Sequence, residues 1–220
     1  MVTIASVGAR RHAEKAVAWG IDAVIATGSE GGGHVGTVPT SLLIPQVAAA
    51  VDVPVIAAGG FFDGRGLVAA LAWGAAGIAM GTRFLLTSDS PVPGAVKQVY
   101  LAAGLDGTVV TTRTDGVPHR VIRTAMVDNL IRSGGMVGAG DTPVLLRAAM
   151  VDGRTDLGLM SSGQVAGLID DLPSCAELIG AIMRDAEACL DRMTTLRSAA
   201  KIFSPNGPWY HPSVWITAAR

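Results

Sequence analysis

The feature that most constrains this chain is a regular alternation across its first hundred residues. Four short runs, VTIASVG, DAVIATG, VPVIAAGG and AGIAMGT, are almost wholly apolar. Between and after them lie stretches with helical spacing: RRHAEKAVAW, SLLIPQVAAAV, GRGLVAALAW and PGAVKQVYLAA. A strand that is apolar throughout, rather than at every second residue, is expected where helices cover a sheet on both faces. Strand and helix in strict turn therefore predict a parallel α/β sheet. Trp19-Gly20 and Trp73-Gly74 close two of the helices, with glycine in the stop position.

An internal echo refines the expectation. AWGIDAVIATG at 18–28 and AWGAAGIAMGT at 72–82 lie 54 residues apart. A barrel of eight βα units and about 250 residues allots roughly 31 to each unit, so the offset is close to two units. Four such units do not close a barrel. The expected fold is α/β, the C-terminal part of a TIM-type (β/α)8 barrel of about four βα units, plus a C-terminal helical segment; a complete open sheet is the alternative. The mean hydropathy of +0.44 favours the partial barrel, since surfaces meant for absent strands stay apolar. The expected division is 1–105 for the partial barrel, 106–204 for a lid and helical region, and 205–220 for an irregular tail.

Composition excludes several classes. Half of the 220 residues are hydrophobic, 16% are charged and the net charge is −1. Disorder is not expected, and scattered Lys and Arg point to neither nucleic acid nor an anionic membrane as partner. No uncharged stretch of membrane-spanning length appears. Cys175 and Cys189 fall in one predicted helix, where 14 residues rise about 21 Å, too far for a disulfide. A reducing cytoplasm and a small-molecule substrate are expected. No metal is expected, and bare barrel edges make a homodimer an option.

The chemistry is expected where three apolar runs end in glycine turns: TGSEGGGH, AAGGFFDGRG and AMGTRF. Parallel α/β folds bind ligands at the carboxyl ends of their strands. Gly59, Gly60, Gly81 and Thr82 are suited to hold a phosphate, because glycine lets backbone N–H groups approach an anion. The helix starting near Gly64 is expected to add its positive end. His34, directly after Gly31-Gly32-Gly33, is the candidate proton acceptor, since an imidazole titrates near neutrality. Glu30 either tunes that histidine or caps a helix. His12 and His211 are expected to be inert. His119 and Arg120 either face substrate or lie on the surface of a connecting segment.

GSEGGGHVGT, PVIAAGGFFDGRGLVAAL and GAAGIAMGTRFLLTSDS together resemble the nitronate monooxygenase (2-nitropropane dioxygenase-like) family of FMN-dependent barrels. The likeness covers roughly residues 3–125, and weakly SSGQVAGLIDDLPS. GGFFDGRG, MGTRFLLTSDS and AGLDGTVVTTRTDGVPHRVIRT are similar to a subgroup that oxidises coenzyme A thioesters during steroid ring breakdown in actinobacteria. The resemblance implies FMN as cofactor. It implies His34 as the base that takes the proton α to a nitro group, and Gly33 as backbone beside the flavin. Ala58, Gly59 and Gly60 match one phosphate-holding turn, Gly81 and Thr82 the other. Gly163 and Gln164 match an element near the active-site lid. Two family features are absent: a first strand with a proline- and glycine-rich turn, and a lysine from the middle strands.

The implied activity is oxidation of a nitronate or nitroalkane. The alternatives are an FMN-dependent dehydrogenase of a steroid-derived CoA thioester, an enoyl reductase-like enzyme, and a truncated, non-catalytic FMN-binding half-barrel. Toward the C-terminus, DGTVVTTRTDG reads as a hairpin, and Ser174 with Glu177 reads as a capping box opening the longest helix. The apolar stripe of that helix, Leu178, Ile179, Ile182, Met183, Ala186, Leu190 and Met193, reads as core.

Overall fold

The fold is known from a computed structural model, which describes residues 1–138 and 140–200. Four strands, β1 (Ile4–Val7), β2 (Ala23–Thr27), β4 (Val55–Ala58) and β5 (Gly77–Ala79), form one parallel sheet in the order β1-β2-β4-β5. They are the four apolar runs read from sequence. Each crossover carries a helix: α1 (Arg10–Ala18), α2 (Thr40–Ala48) and α3 (Gly64–Ala72). Spatial order equals chain order, the arrangement of consecutive strands in a TIM-type barrel. The echo of 54 residues spans β2 to β5, two strands apart in the sheet.

Local chemistry sets the helix ends. Gly20 (φ 85°) and Gly74 (φ 91°) adopt the left-handed conformation just beyond α1 and α3, so both Trp-Gly stops act as read. Asp63 caps α3 by accepting from the Gly66 amide at 3.0 Å. The core of this half packs Leu43, Ile44 and Val47 of α2 against Val24, Val55 and Ala57 of the sheet. Ile4, on the outer strand β1, is 52% exposed. The outer edges of β1 and β5 have no strand partner among the described residues.

A second sheet lies beyond the expected barrel segment. It is antiparallel, in the order β3 (Gly33–His34), β7 (His119–Ile122), β6 (Thr108–Thr111). The hairpin expected in DGTVVTTRTDG exists, but that stretch supplies only β6 and the turn; the returning strand is HRVI. A second cluster joins α5 (Gly94–Leu101) to the segment after residue 158, with Tyr100, Leu86, Met160 and Ala166 buried. α4 (Thr82–Leu85), α6 (Ala125–Ser133), α7 (Thr142–Met150) and a 3-10 turn (Gln164–Leu168) complete the region before the long helix α8 (Cys175–Ala200).

The capping box opens α8 as read: Glu177 accepts from the Ser174 amide at 2.8 Å, and Ser174 Oγ accepts from the Glu177 amide at 3.2 Å. Its stripe is half of what was expected. Leu178, Ile182 and Ala186 are buried, whereas Ile179, Met183, Leu190 and Met193 are about half exposed. The helix packs chiefly on α3, and one main supporting helix covers a narrower arc than a core position needs. Both cysteines are free, as expected. No described helix is long and apolar enough to cross a membrane. His211 and the tail 205–220 lie outside the described residues.

Candidate active site

The three glycine turns meet. Ala58, Gly59, Gly60, Gly81 and Thr82 line one cavity of about 540 Å³ together with Gly31 and Gly32. Phe61, Met80, Leu85 and Val165 make much of the remaining wall apolar. A few polar backbone groups in a mostly apolar hollow at strand ends is the usual build of a cofactor site. Gly59 holds φ at +94°, so a side chain there would strain the turn. A Cβ on Gly81 would meet no atom within 4 Å, so the position borders open space in the hollow.

The segment 161–165 closes one side. Thr82 Oγ1 accepts from the Gly163 amide at 2.9 Å, and the Glu30 carbonyl accepts from the Gln164 amide at 3.0 Å. Gly163 lines the cavity and Gln164 does not. This stitching also accounts for one of the three consecutive glycines. A Cβ on Gly32 would stand 2.6 Å from the Ser162 carbonyl carbon and 2.7 Å from the Gly163 nitrogen. The space that Gly32 leaves is filled by the chain itself.

Two sequence alternatives resolve. Glu30 caps a helix: its Oε2 accepts from the Thr40 amide at 2.9 Å and from the Thr40 hydroxyl at 2.8 Å, at the start of α2. His119 and Arg120 are buried rather than on the surface, 3% and 9% exposed. Arg120 donates through Nε and Nη2 to the Ser29 carbonyl and through Nη1 to Thr108 Oγ1. It thereby fixes the first glycine turn to the second sheet. His12 is exposed.

One expectation fails. The positive end of α3 is not offered to the cavity, because the Asp63 carboxylate already caps it and pairs with Arg65. A Cβ on Gly64 would overlap the Ile182 carbonyl and the Ala186 amide of α8. That helix start is occupied by its own cap and by α8.

Gly33 and His34 stand apart from the cavity wall. Gly33 is left-handed (φ 77°), and His34 pairs with His119 across the β3–β7 ladder. The two rings lie 4.9 Å apart, tilted by 49°. His34 Nε2 is 2.7 Å from Asp115 Oδ2, with the His34 side chain 58% exposed. His119 Nε2 is 2.8 Å from the hydroxyl of Ser161, which does line the cavity. His34 is thus joined to the hollow through His119 and Ser161. Burial, and then the neighbouring His34, push the His119 imidazole below the usual histidine range, with Asp115 opposing. The His34 hydrogen bond holds the Asp115 carboxyl below the usual carboxylate range.

Sequence reasoning did not find Asp115, Ser161 or Tyr100, whose hydroxyl donates to the Ser161 carbonyl at 2.6 Å. Asp115 lies in TDGVP, a turn signature, and nothing local marks it as a neighbour of His34, 81 residues away. The ligand atoms of His34, Asp115 and His119 all lie within 4.8 Å of one another. Two ligands on one transition metal at about 2.0–2.1 Å sit roughly 3 Å or more apart. The 2.7 Å pair is therefore a hydrogen bond, and a metal would have to break it.

A sequential parallel sheet whose glycine turns line one cavity is the arrangement of a TIM-type barrel enzyme. Residues 1–185 match the nitronate monooxygenase family, and the chain belongs to it. The protein is therefore an oxidoreductase. It is 51% identical, over 240 aligned positions, to (3aS,4S,5R,7aS)-5-hydroxy-7a-methyl-1-oxo-octahydro-1H-indene-4-carboxyl-CoA dehydrogenase of Mycobacterium tuberculosis, covering 89% of this chain and 68% of that one. Among solved structures, FabK from Thermotoga maritima aligns with a TM-score of 0.79 at 35% identity, covering 88% of this chain and 63% of that one. The nitroalkane oxidase of Streptomyces ansochromogenes aligns with a TM-score of 0.77 at 28% identity, covering 88% and 59%. The chain spans about three fifths of the solved structures it matches.

Proposed function

We propose that the chain is an FMN-dependent oxidoreductase acting at an acidic carbon, of the nitronate monooxygenase type, with His34 as base. The observation that carries this reading is the convergence of Ala58, Gly59, Gly60, Gly81 and Thr82 on one hollow. The residues suit FMN. Backbone amides and the Thr82 hydroxyl would hold the phosphate, and Met80, Leu85 and Val165 would border the apolar ring. Bound there, the flavin would supply the redox chemistry. Gly33, next in the chain after the cavity-lining Gly32, would stand at the flavin's margin. Residues 1–105 carry the phosphate grip, and the lid and helical region follows from residue 106.

The chain's own part is proton transfer and positioning. An unprotonated ring nitrogen of His34 takes the proton from a carbon α to a nitro group. The electron pair of the broken C–H bond remains on the substrate, as nitronate. A carbon α to a thioester carbonyl is acidic for the same reason. The 51% identity to a CoA-thioester dehydrogenase favours a steroid-derived CoA thioester as a second substrate reading.

Flavin retained through gel filtration, read from its visible absorbance, tests the grip; a colourless protein in excess FMN refutes it. Assay of a nitronate beside a hydroxyacyl-CoA thioester separates the substrates. Replacing His34 by Asn should lower turnover by roughly 10²–10⁴-fold and leave FMN bound; unchanged turnover would remove the base assignment.

A further inference from the structure

We propose that Asp115 is the positioning residue of His34, a carboxylate built into the 112–118 turn to fix which ring nitrogen is free. This inference rests on the reading of His34 as base. The turn is constructed around the carboxylate. Oδ1 accepts from the Val117 amide at 3.1 Å and from the Thr114 hydroxyl at 3.3 Å. Gly116, left-handed at φ 88°, reverses the chain between those two donors, and its amide closes the turn on the Thr112 carbonyl. Oδ2 is left to face His34 Nε2 at 2.7 Å.

Both ends of this turn are anchored. Thr142 Oγ1 donates to the Thr114 carbonyl at 2.6 Å. On the other side, the β3–β7 register sets His34 directly opposite His119. The carboxylate therefore reaches the ring from a fixed frame. His119 does not compete for it, since Nε2 bonds Ser161 and Nδ1 faces the Thr114 hydroxyl at 3.4 Å.

The consequence is a defined tautomer. A carboxylate is acceptor only, so the neutral ring donates Nε2–H to it and keeps Nδ1 unprotonated. Nδ1 makes no hydrogen bond among the described residues. When Nδ1 takes a proton from carbon, Asp115 stays ionised and faces the imidazolium without being protonated itself, the role of the acid in other His–Asp pairs. An asparagine in its place offers either its oxygen or its NH2 and so permits both tautomers.

The test is nitrogen-15 NMR of the full chain with FMN added, with His34 assigned from the signals lost in H34N, alongside steady-state turnover. In wild type, Nε2 should carry the proton-bearing signature and Nδ1 the bare one. In D115N the two should average, kcat should fall about tenfold or more, and FMN affinity should stay within twofold. D115E should recover part of the loss. An unchanged nitrogen signature in D115N overturns the proposal, whatever turnover does. So does a changed signature with full turnover when H34N is inactive. If H34N keeps full turnover, the base reading alone fails, and the nitrogen signature still decides whether Asp115 holds the ring.

Discussion

At the scale of single residues, the site depends on buried polar groups that each find a partner. Among the described residues no buried side-chain nitrogen or oxygen lacks a partner. Removing one partner leaves the other unpaired, which costs more than the bond is worth. Arg120→Met should therefore destabilise the protein by about 2–3 kcal/mol, because the Ser29 carbonyl and Thr108 lose a charged donor; urea melts would measure it. His119 adds a pH dependence. Its folded-state pKa lies below the unfolded value of about 6.5. As pH falls from 6.5 toward that lower value, the unfolded chain binds the proton first and stability drops. Above about 6.5 both states are neutral and the effect vanishes. Thermal melts from pH 7.5 to 5 should show this fall in wild type and a smaller one in H119Q. The groups that face His119 and shape the effect are His34 and Asp115.

At the scale of elements, what was legible in the sequence was whatever local chemistry decides. The four parallel strands, the Trp-Gly stops and the Ser174–Glu177 box follow from patterns within a few residues. The antiparallel sheet was half read, because β7 in HRVI pairs with a two-residue strand 85 positions earlier, and two residues leave no period to detect. The α8 stripe was over-read for a related reason: an apolar face reports what a helix is able to bury, not which neighbour is present. Glycines divide in the same way. The helix starting near Gly64 was expected to offer its positive end, yet the missing side chain of Gly64 admits α8. Gly64→Val should push α8 off α3 and cost about 1–3 kcal/mol, visible as a lower denaturation midpoint. Gly81→Val fills open cavity space instead, and should weaken FMN binding with little change in stability, as fluorescence titration against thermal melts would show.

At the scale of the molecule, the parallel sheet has two edges, β1 and β5, without a strand partner among the described residues. Exposed apolar side chains flank the first, Val2 at 77% and Ile4 at 52%. Unpaired edges with apolar neighbours template further pairing. Light scattering should find association that rises with concentration, and Ile4→Lys should reduce it; a strictly monomeric wild type would refute the expectation. The residues proposed to hold phosphate and those proposed to handle the proton also sit on different supports. Ala58 ends β4 and Gly81 follows β5, both of the parallel sheet, whereas His34, His119 and Asp115 belong to β3, β7 and the hairpin turn. The two mountings meet where Arg120 holds the Ser29 carbonyl and His119 bonds Ser161. A lineage built on this frame would retool the hairpin most easily outside those contacts, leaving the turns of the parallel sheet as they are.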